Sequence, residues 1–194
     1  MAPATTVALA AVSYALGTFP TASLVGRAHG LDVLRQGSGN PGASNVYRLA
    51  GRRAGLLAFA GDALKGAAAA GLGRVVGGLD GALVASAAVA VGHCFPVTRR
   101  LRGGRGVATA AGLALVVEPL VALAGVVVWA VVARLTRTAS AASLVIAVGA
   151  PVTVAVLRGP GREAAVLGAI AALIVVRHAG NLARLVRGEE RSLR

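Results

Sequence analysis

Residues 107–133 read VATAAGLALVVEPLVALAGVVVWAVVA, and the number of membrane passages turns on the Glu118-Pro119 pair at their centre. Read as one tilted helix, the stretch gives six passages in all. Read as two short helices joined at the proline, it gives seven, although each half falls short of the roughly 20 residues that cross a hydrocarbon core. The other apolar runs cover 4–26, 54–73, 81–98, 140–157 and 164–177. With seven passages, segments 27–53, 99–106, 134–139 and the tail from 177 share one side and hold 5, 4, 2 and 5 arginines. The opposite segments, 74–80, 118–119 and 158–163, hold 1, 0 and 2. Six passages reduce that asymmetry to 11 against 8. Positive charge stays inside, so the sequence predicts an all-α integral membrane protein: a compact bundle of seven transmembrane helices, N-terminus outside and C-terminus cytoplasmic.

Composition agrees. The chain is 56% hydrophobic, 14% charged and 3% aromatic, more apolar than a soluble domain of 194 residues needs. Alanine, valine, leucine and glycine carry that hydrophobicity, and small residues let helices approach closely. One domain over 1–194 accounts for the length. The net charge of +13 does not point to nucleic acid, because the arginines cluster between apolar runs with few aromatics for stacking; an anionic leaflet and anionic substrates explain them better. A single cysteine, three scattered histidines and seven acids provide neither a disulfide nor a metal framework. The first arginine, Arg27, follows the first apolar run, which reads as a spanning segment rather than a cleaved signal.

Chemistry-bearing residues gather in the segments of the arginine-rich side. Gly37-Ser-Gly-Asn-Pro-Gly-Ala-Ser-Asn-Val-Tyr-Arg48 has too many turn residues to be helical throughout, and such turns expose backbone N–H groups. Ser38 adds a hydroxyl, and Asn45 and Arg48 share a face if a helix begins there. Arg102-Gly-Gly-Arg-Gly106 leads straight into an apolar helix whose free N–H groups favour an anion, with Arg105 as a bidentate phosphate partner. It lacks the spacing of a nucleotide-hydrolysing loop. In Arg177-His-Ala-Gly-Asn181, His178 and Asn181 lie three apart and can face one site. The only lysine, Lys65, stands three residues after Asp62 inside an apolar run. That pair is either functional or a structural tie between helices. His93, at the end of the third run, is expected to pack and orient a neighbouring loop.

Together these motifs resemble the bacterial acyl-phosphate:glycerol-3-phosphate acyltransferases, the PlsY family. That family's GSGN-x-GA[ST]NV-x-R, D-x-x-KG, GH-x-[FY]P, KGGKGVAT and HR-x-N blocks correspond, in order, to Gly37–Arg48, Asp62–Gly66, Gly92–Pro96, Arg102–Thr109 and the segment from His178 to Glu190. The resemblance implies a bacterial inner-membrane enzyme with its active site toward the cytoplasm. It transfers a fatty acyl group from acyl phosphate to the 1-hydroxyl of sn-glycerol 3-phosphate, giving lysophosphatidate and inorganic phosphate, the first acylation of phospholipid synthesis. No cofactor or metal is implied. The implied partners are the two substrates, membrane lipid and the soluble enzyme that makes acyl phosphate. Ser38, Arg48, Arg105, His178 and Asn181 stand at the family's catalytic positions. Asn45, Lys65, Gly103, Gly104 and Gly106 stand at substrate-binding positions, and Asp62, His93 and Glu189 at structural ones. Two departures mark this chain: RGGRG replaces KGGKG, making the lysine position Arg105, and His178-Ala-Gly-Asn181 loses the family's intervening Arg and Glu.

Because acyl phosphate is already activated, the site needs chiefly to neutralise phosphate charge and align the hydroxyl with the carbonyl. Arg48 and Arg105 are expected to clamp phosphate, with Ser38 and Asn181 positioning oxygens. His178 either takes the hydroxyl proton or only positions glycerol phosphate while a substrate phosphate takes it. The rival class is a transporter or channel for a phosphorylated solute. The gathering of polar motifs at one face and the lack of an internal repeat count against it.

Overall fold

The computed structural model describes residues 1–193, and every regular element among them is helical. Helix α1 (Pro3–Thr18) starts with proline at a position where a missing N–H costs nothing. It ends at Phe19-Pro20, and α2 (Thr21–Ala28) follows directly. The first apolar run, expected as one span over 4–26, is one span over Pro3–Ala28, interrupted locally at Phe19-Pro20 because Pro20 cannot donate to the turn before it. Helix α3 (Ala43–Cys94) has 52 residues, which as a straight rod would reach roughly 78 Å. It is not straight. Gly51 (φ +83°) separates a short interfacial turn from the arm 52–76, and Gly77-Gly78 (φ +59° at Gly78) folds the chain back into the arm 79–94. A Cβ on Gly81 would strike the Gly73 carbonyl, which shows how closely the two arms pass.

The Glu118-Pro119 question is answered by the backbone. Helix α4 (Val107–Val117) stops at Glu118, whose extended φ of −140° is the conformation a following proline enforces. Pro119 then opens α5 (Pro119–Thr136). Helices α6 (Ala139–Arg158) and α7 (Arg162–Arg177) follow, and after His178 the chain bends by 62° into α8 (Ala179–Val186).

Contacts at the two ends fix the order of passages. At one end Met1 meets Gly77, Asp80 pairs with Arg162 at 2.6 Å, and Glu118 pairs with Arg158 at 2.8 Å. At the other, the Tyr14 hydroxyl donates to the Phe95 carbonyl, Arg177 holds the loop before α4, and Leu193 N–H donates to the Arg137 carbonyl. The chain thus passes along the bundle seven times, through α1, both arms of α3, α4 for part of the depth, α5, α6 and α7. The N-terminus lies opposite the tail. At 11 residues α4 reaches only about 16 Å, so its turn at Glu118 is buried within the bundle.

The core is built of small side chains. Ala69, Ala70, Val89, Ala90 and Leu113 pack with Val154, Leu167, Ile170 and Ile174. The first arm of α3 crosses α4 without intervening side chains: a Cβ on Gly66 would meet the Thr109 carbonyl, and one on Gly112 that of Ala63. The outer face, by contrast, carries large apolar residues such as Leu120 and Val156, the pattern of a lipid-facing surface.

Candidate active site

Three segments meet at the end of the bundle that holds the tail. In the first, the loop 29–42, Asn45 acts as an internal clamp. Its Nδ2 donates to the carbonyls of Val33 and Gln36 (3.0 and 3.1 Å), and its Oδ1 accepts from Ser38 N–H (2.9 Å). The carboxamide is 1% exposed with both ends in use, so Asn45 shapes the loop and offers nothing to a ligand, contrary to its expected binding role. Ser38 is half-buried, and its Oγ accepts weakly from Asn40 N–H at 3.4 Å.

The second segment is the Arg102–Gly106 loop. Arg177 lies over the Phe95 ring (5.2 Å) and donates to the carbonyls of Gly104 (Nε, 3.2 Å) and Gly103 (Nη2, 2.9 Å). Gly104 N–H is spent on the His93 carbonyl. A Cβ on Gly103 would strike the carbonyls of His93 and Cys94, and one on Gly104 the His93 ring. These two glycines are therefore required by packing against the end of α3. The His93 ring thus packs directly against Gly104. Gly106 differs: it caps α4 in a left-handed conformation (φ +89°) and lines the cavity with Val107 and Ala108, so the uncapped first turn of α4 opens onto the site.

Lys65 does not reach that cavity. Its Nζ pairs with Asp62 Oδ1 (2.8 Å) and donates to the Phe19 carbonyl (3.0 Å), tying α3 to the end of α1. The expected binding role of Lys65 gives way to the structural tie. Asp62 and His93 approach within 3.7 Å, and both touch the cavity wall.

The third segment is α8 with the tail. Where α7 ends, His178 is 2% exposed and its Nδ1 lies 2.8 Å from the Ile174 carbonyl. A carbonyl only accepts, so Nδ1 carries the proton of the neutral ring and Nε2 keeps a lone pair. Burial, offset in part by the Ile174 carbonyl, and then the nearby charge of Arg105 push the His178 pKa down to about 4, so the ring is neutral at pH 7. Asn181 Nδ2 donates to Glu190 Oε1 (2.9 Å), and Arg184 Nε donates to Oε2 (3.1 Å). Glu189, the expected structural acid, is exposed and, among the described residues, its carboxylate pairs only with Arg187 at 3.0 Å; the acid with the buried side chain is Glu190. Ala179 and Gly180, where the family's Arg and Glu are lost, lie on the exposed side of α8, while His178 and Asn181 face inward.

Arg48, Arg105, His178 and Asn181 surround the mouth of one cavity of about 580 Å³. Burial lowers the pKa of both arginines, with Glu190 opposing; Arg105 falls to about 10 and stays charged. Arg48 donates to two tail carbonyls, Ser192 (2.9 Å) and Arg191 (3.3 Å). Below this charged rim the walls turn apolar, through Ala111, Ala114, Val121, Val126, Ile146 and Ile170, down to Glu118 at the far end. Asn40, Ser44 and Glu190 also line the cavity and were not singled out from sequence. A cationic, hydrogen-bonding mouth above an apolar well suits an amphiphile with a phosphate head.

The model of a family described as glycerol-3-phosphate acyltransferase matches residues 7–188. The chain belongs to that family. Curated glycerol-3-phosphate acyltransferases resemble it along most of their length: one from Paraburkholderia phytofirmans is 44% identical over 94% of this chain and 88% of its own. Another, from Rubrobacter xylanophilus, is 42% identical over 95% and 94%. Among solved structures, PlsY (YgiH), an integral membrane glycerol 3-phosphate acyltransferase, superposes in its glycerol 3-phosphate form with a TM-score of 0.92 at 34% identity, covering 96% of this chain and 94% of that one. Its lysophosphatidic acid form superposes with a TM-score of 0.90. This member of the glycerol-3-phosphate acyltransferase family is a multi-pass membrane acyltransferase.

Proposed function

We propose that the protein transfers a fatty acyl group from acyl phosphate to the 1-hydroxyl of sn-glycerol 3-phosphate, releasing 1-acylglycerol 3-phosphate and inorganic phosphate. The observation that carries this reading is the position of Arg48, Arg105, His178 and Asn181 around the mouth of one apolar-walled cavity. The donor's acyl chain lies in the well and its phosphate at the rim. Arg48 and Arg105 neutralise phosphate charge, aided by the open first turn of α4. Ser38 does not itself line the cavity, but its Oγ accepts from the N–H of the lining residue Asn40, and from there it positions a phosphate or glycerol oxygen. The attacking hydroxyl donates to His178 Nε2, and Asn181 accepts from the second glycerol hydroxyl. As the new C–O bond forms, the C–O bond to phosphate breaks. The hydroxyl proton passes to His178 or to the departing phosphate.

The tail contacts on Arg48 are backbone carbonyls, weaker partners for a guanidinium than a phosphate dianion, so substrate displaces them. With 16 of 19 arginines on the site's side, that side faces the cytoplasm of a bacterial inner membrane, where glycerol phosphate and a soluble supplier of acyl phosphate are accessible. The test supplies purified protein in micelles with acyl phosphate and glycerol 3-phosphate. Stoichiometric phosphate and lysophosphatidate support the reading; lipid formed only from acyl-CoA or acyl carrier protein refutes the donor.

A further inference from the structure

A second cavity, of about 330 Å³, is lined in part by α2 and shares no lining residue with the first. It sits at the same end of the bundle, between the end of α1, the loop 31–34 and the 3-10 turn Val97–Arg99. Among the described residues, three polar groups on its wall, the Ser23 hydroxyl, the Arg27 guanidinium and the Arg99 Nε, lack partners. Ser23 is 8% exposed, and its buried Oγ makes no hydrogen bond. Arg27, four residues on and so on the same face of α2, has no side-chain partner among the described residues. Arg99 gives Nη2 to the Thr18 carbonyl (3.3 Å), while its buried Nε stays unpaired. Asp32, the one acid on the wall, is already committed to Arg35 (3.5 Å) and to Leu34 N–H (3.1 Å). The rest of the lining includes Phe19, Leu24 and Leu31, and Phe19 and Leu24 also present exposed apolar surface.

A buried hydroxyl and an inward guanidinium edge without acceptors are costly unless something accepts from them. Two arginines, one hydroxyl and an apolar flank describe a receptor for an anionic amphiphile. We propose that this cavity is a second binding site, outside the catalytic mouth, that takes the phosphate-ester head of an anionic bilayer lipid, with Ser23, Arg27 and Arg99 as its donors. Its place at the arginine-rich end puts it at the depth where headgroup phosphates lie.

The test counts lipid adducts by native mass spectrometry on the whole protein in micelles, titrated with phosphatidylglycerol or phosphatidylcholine. Arg27→Gln changes an exposed side chain far from any tie in the fold, and Arg99→Lys keeps charge while removing the Nε donor. The expected result is about tenfold weaker retention of phosphatidylglycerol in Arg27→Gln, the loss of one charged hydrogen bond, with phosphatidylcholine adducts and acyl transfer unchanged. Arg99→Lys weakens it too. Displacement of the adduct by inorganic phosphate assigns the same donors to a water-soluble phosphate instead of a lipid. Equal phosphatidylglycerol retention in wild type, Arg27→Gln and Arg99→Lys overturns the site.

Discussion

Asn181 donates its carboxamide to Glu190 at 2.9 Å, so an acid nine residues further along the chain orients a side chain that lines the cavity. A carboxylate only accepts, so the NH2 group must face Glu190 and the carboxamide oxygen is left for a substrate hydroxyl. Arg184 completes the arrangement by holding the second carboxylate oxygen. Replacing Glu190 with Gln removes two charge-assisted bonds in a buried place, at a cost of about 1–3 kcal/mol in stability, and frees Asn181 to turn. A drop in kcat/KM of roughly 100-fold is expected from the lost orientation. Glu189→Gln, on the exposed neighbour, changes Tm and rate little. Equal effects from the two variants would remove Glu190 from this role.

That pair also marks the limit of what the sequence can say. The seven passages were legible because arginine placement and the Glu118-Pro119 break act locally and one-dimensionally. Arg48, Arg105, His178 and Asn181 were legible because their motifs fall on one side of the membrane. What was not legible is which polar atoms are consumed within the protein. Asn45 is spent on Val33, Gln36 and Ser38, and Lys65 on Asp62 and Phe19, because of a loop curl and a helix break that spacing does not encode. The choice between adjacent glutamates depends on a turn at Gly188 (φ +70°), which swings Glu190 inward and leaves Glu189 out.

Arg48→Ala should nearly abolish turnover while leaving a folded protein, since among the described residues the Arg48 side chain bonds only tail carbonyls. Arg48→Lys keeps the charge but loses the fork, so activity returns in part and KM for glycerol 3-phosphate or the acyl donor stays raised. Near-normal turnover in Arg48→Ala would take this residue out of the phosphate clamp. Detergent-stable elution and Tm measured beside the rate separate that outcome from misfolding.

The pH response follows from His178. Its folded pKa, about 4, lies below the ordinary histidine value of 6.5, so the folded state resists protonation. The stabilisation is fully present above pH 6.5 and is lost as pH falls from there through about 4; by linkage it amounts to about 3 kcal/mol. Tm should fall over that window in the wild type, and His178→Gln should flatten the fall. Activity should show an acid limb near pH 6, where glycerol phosphate loses its second charge, rather than at the histidine value. A limb that moves with His178 substitution but not with a substrate phosphonate of different pKa would contradict this.

The loop glycines predict a contrast between two alanine variants. A Cβ at Gly104 would strike the His93 ring, which is wedged beside Asp62, so Gly104→Ala displaces the loop carrying Arg105. Loss of activity together with a lower Tm is expected. At Gly180 the nearest atom to a new Cβ is Arg184 Nη1 at 3.6 Å, on an exposed turn of α8. Gly180→Ala should therefore stabilise α8 by up to about 1 kcal/mol and leave turnover intact.

Arg105 stands where the family has lysine, and the surroundings say what the exchange should do. The cavity mouth already holds Arg48, and Glu190 is the one acid near enough to oppose the pair electrostatically. Arginine keeps its charge at pH 7 even with its pKa pushed down to about 10, whereas a lysine in the same half-dry place starts about two units lower and is easier to neutralise. Arg105→Lys should thus remain active, with a basic limb that appears earlier in the pH profile than in the wild type. Arg105→Gln, which keeps much of the size without the charge, should lose turnover at every pH. If Arg105→Lys were as inactive as Arg105→Gln, the forked geometry rather than the charge would be what phosphate requires here.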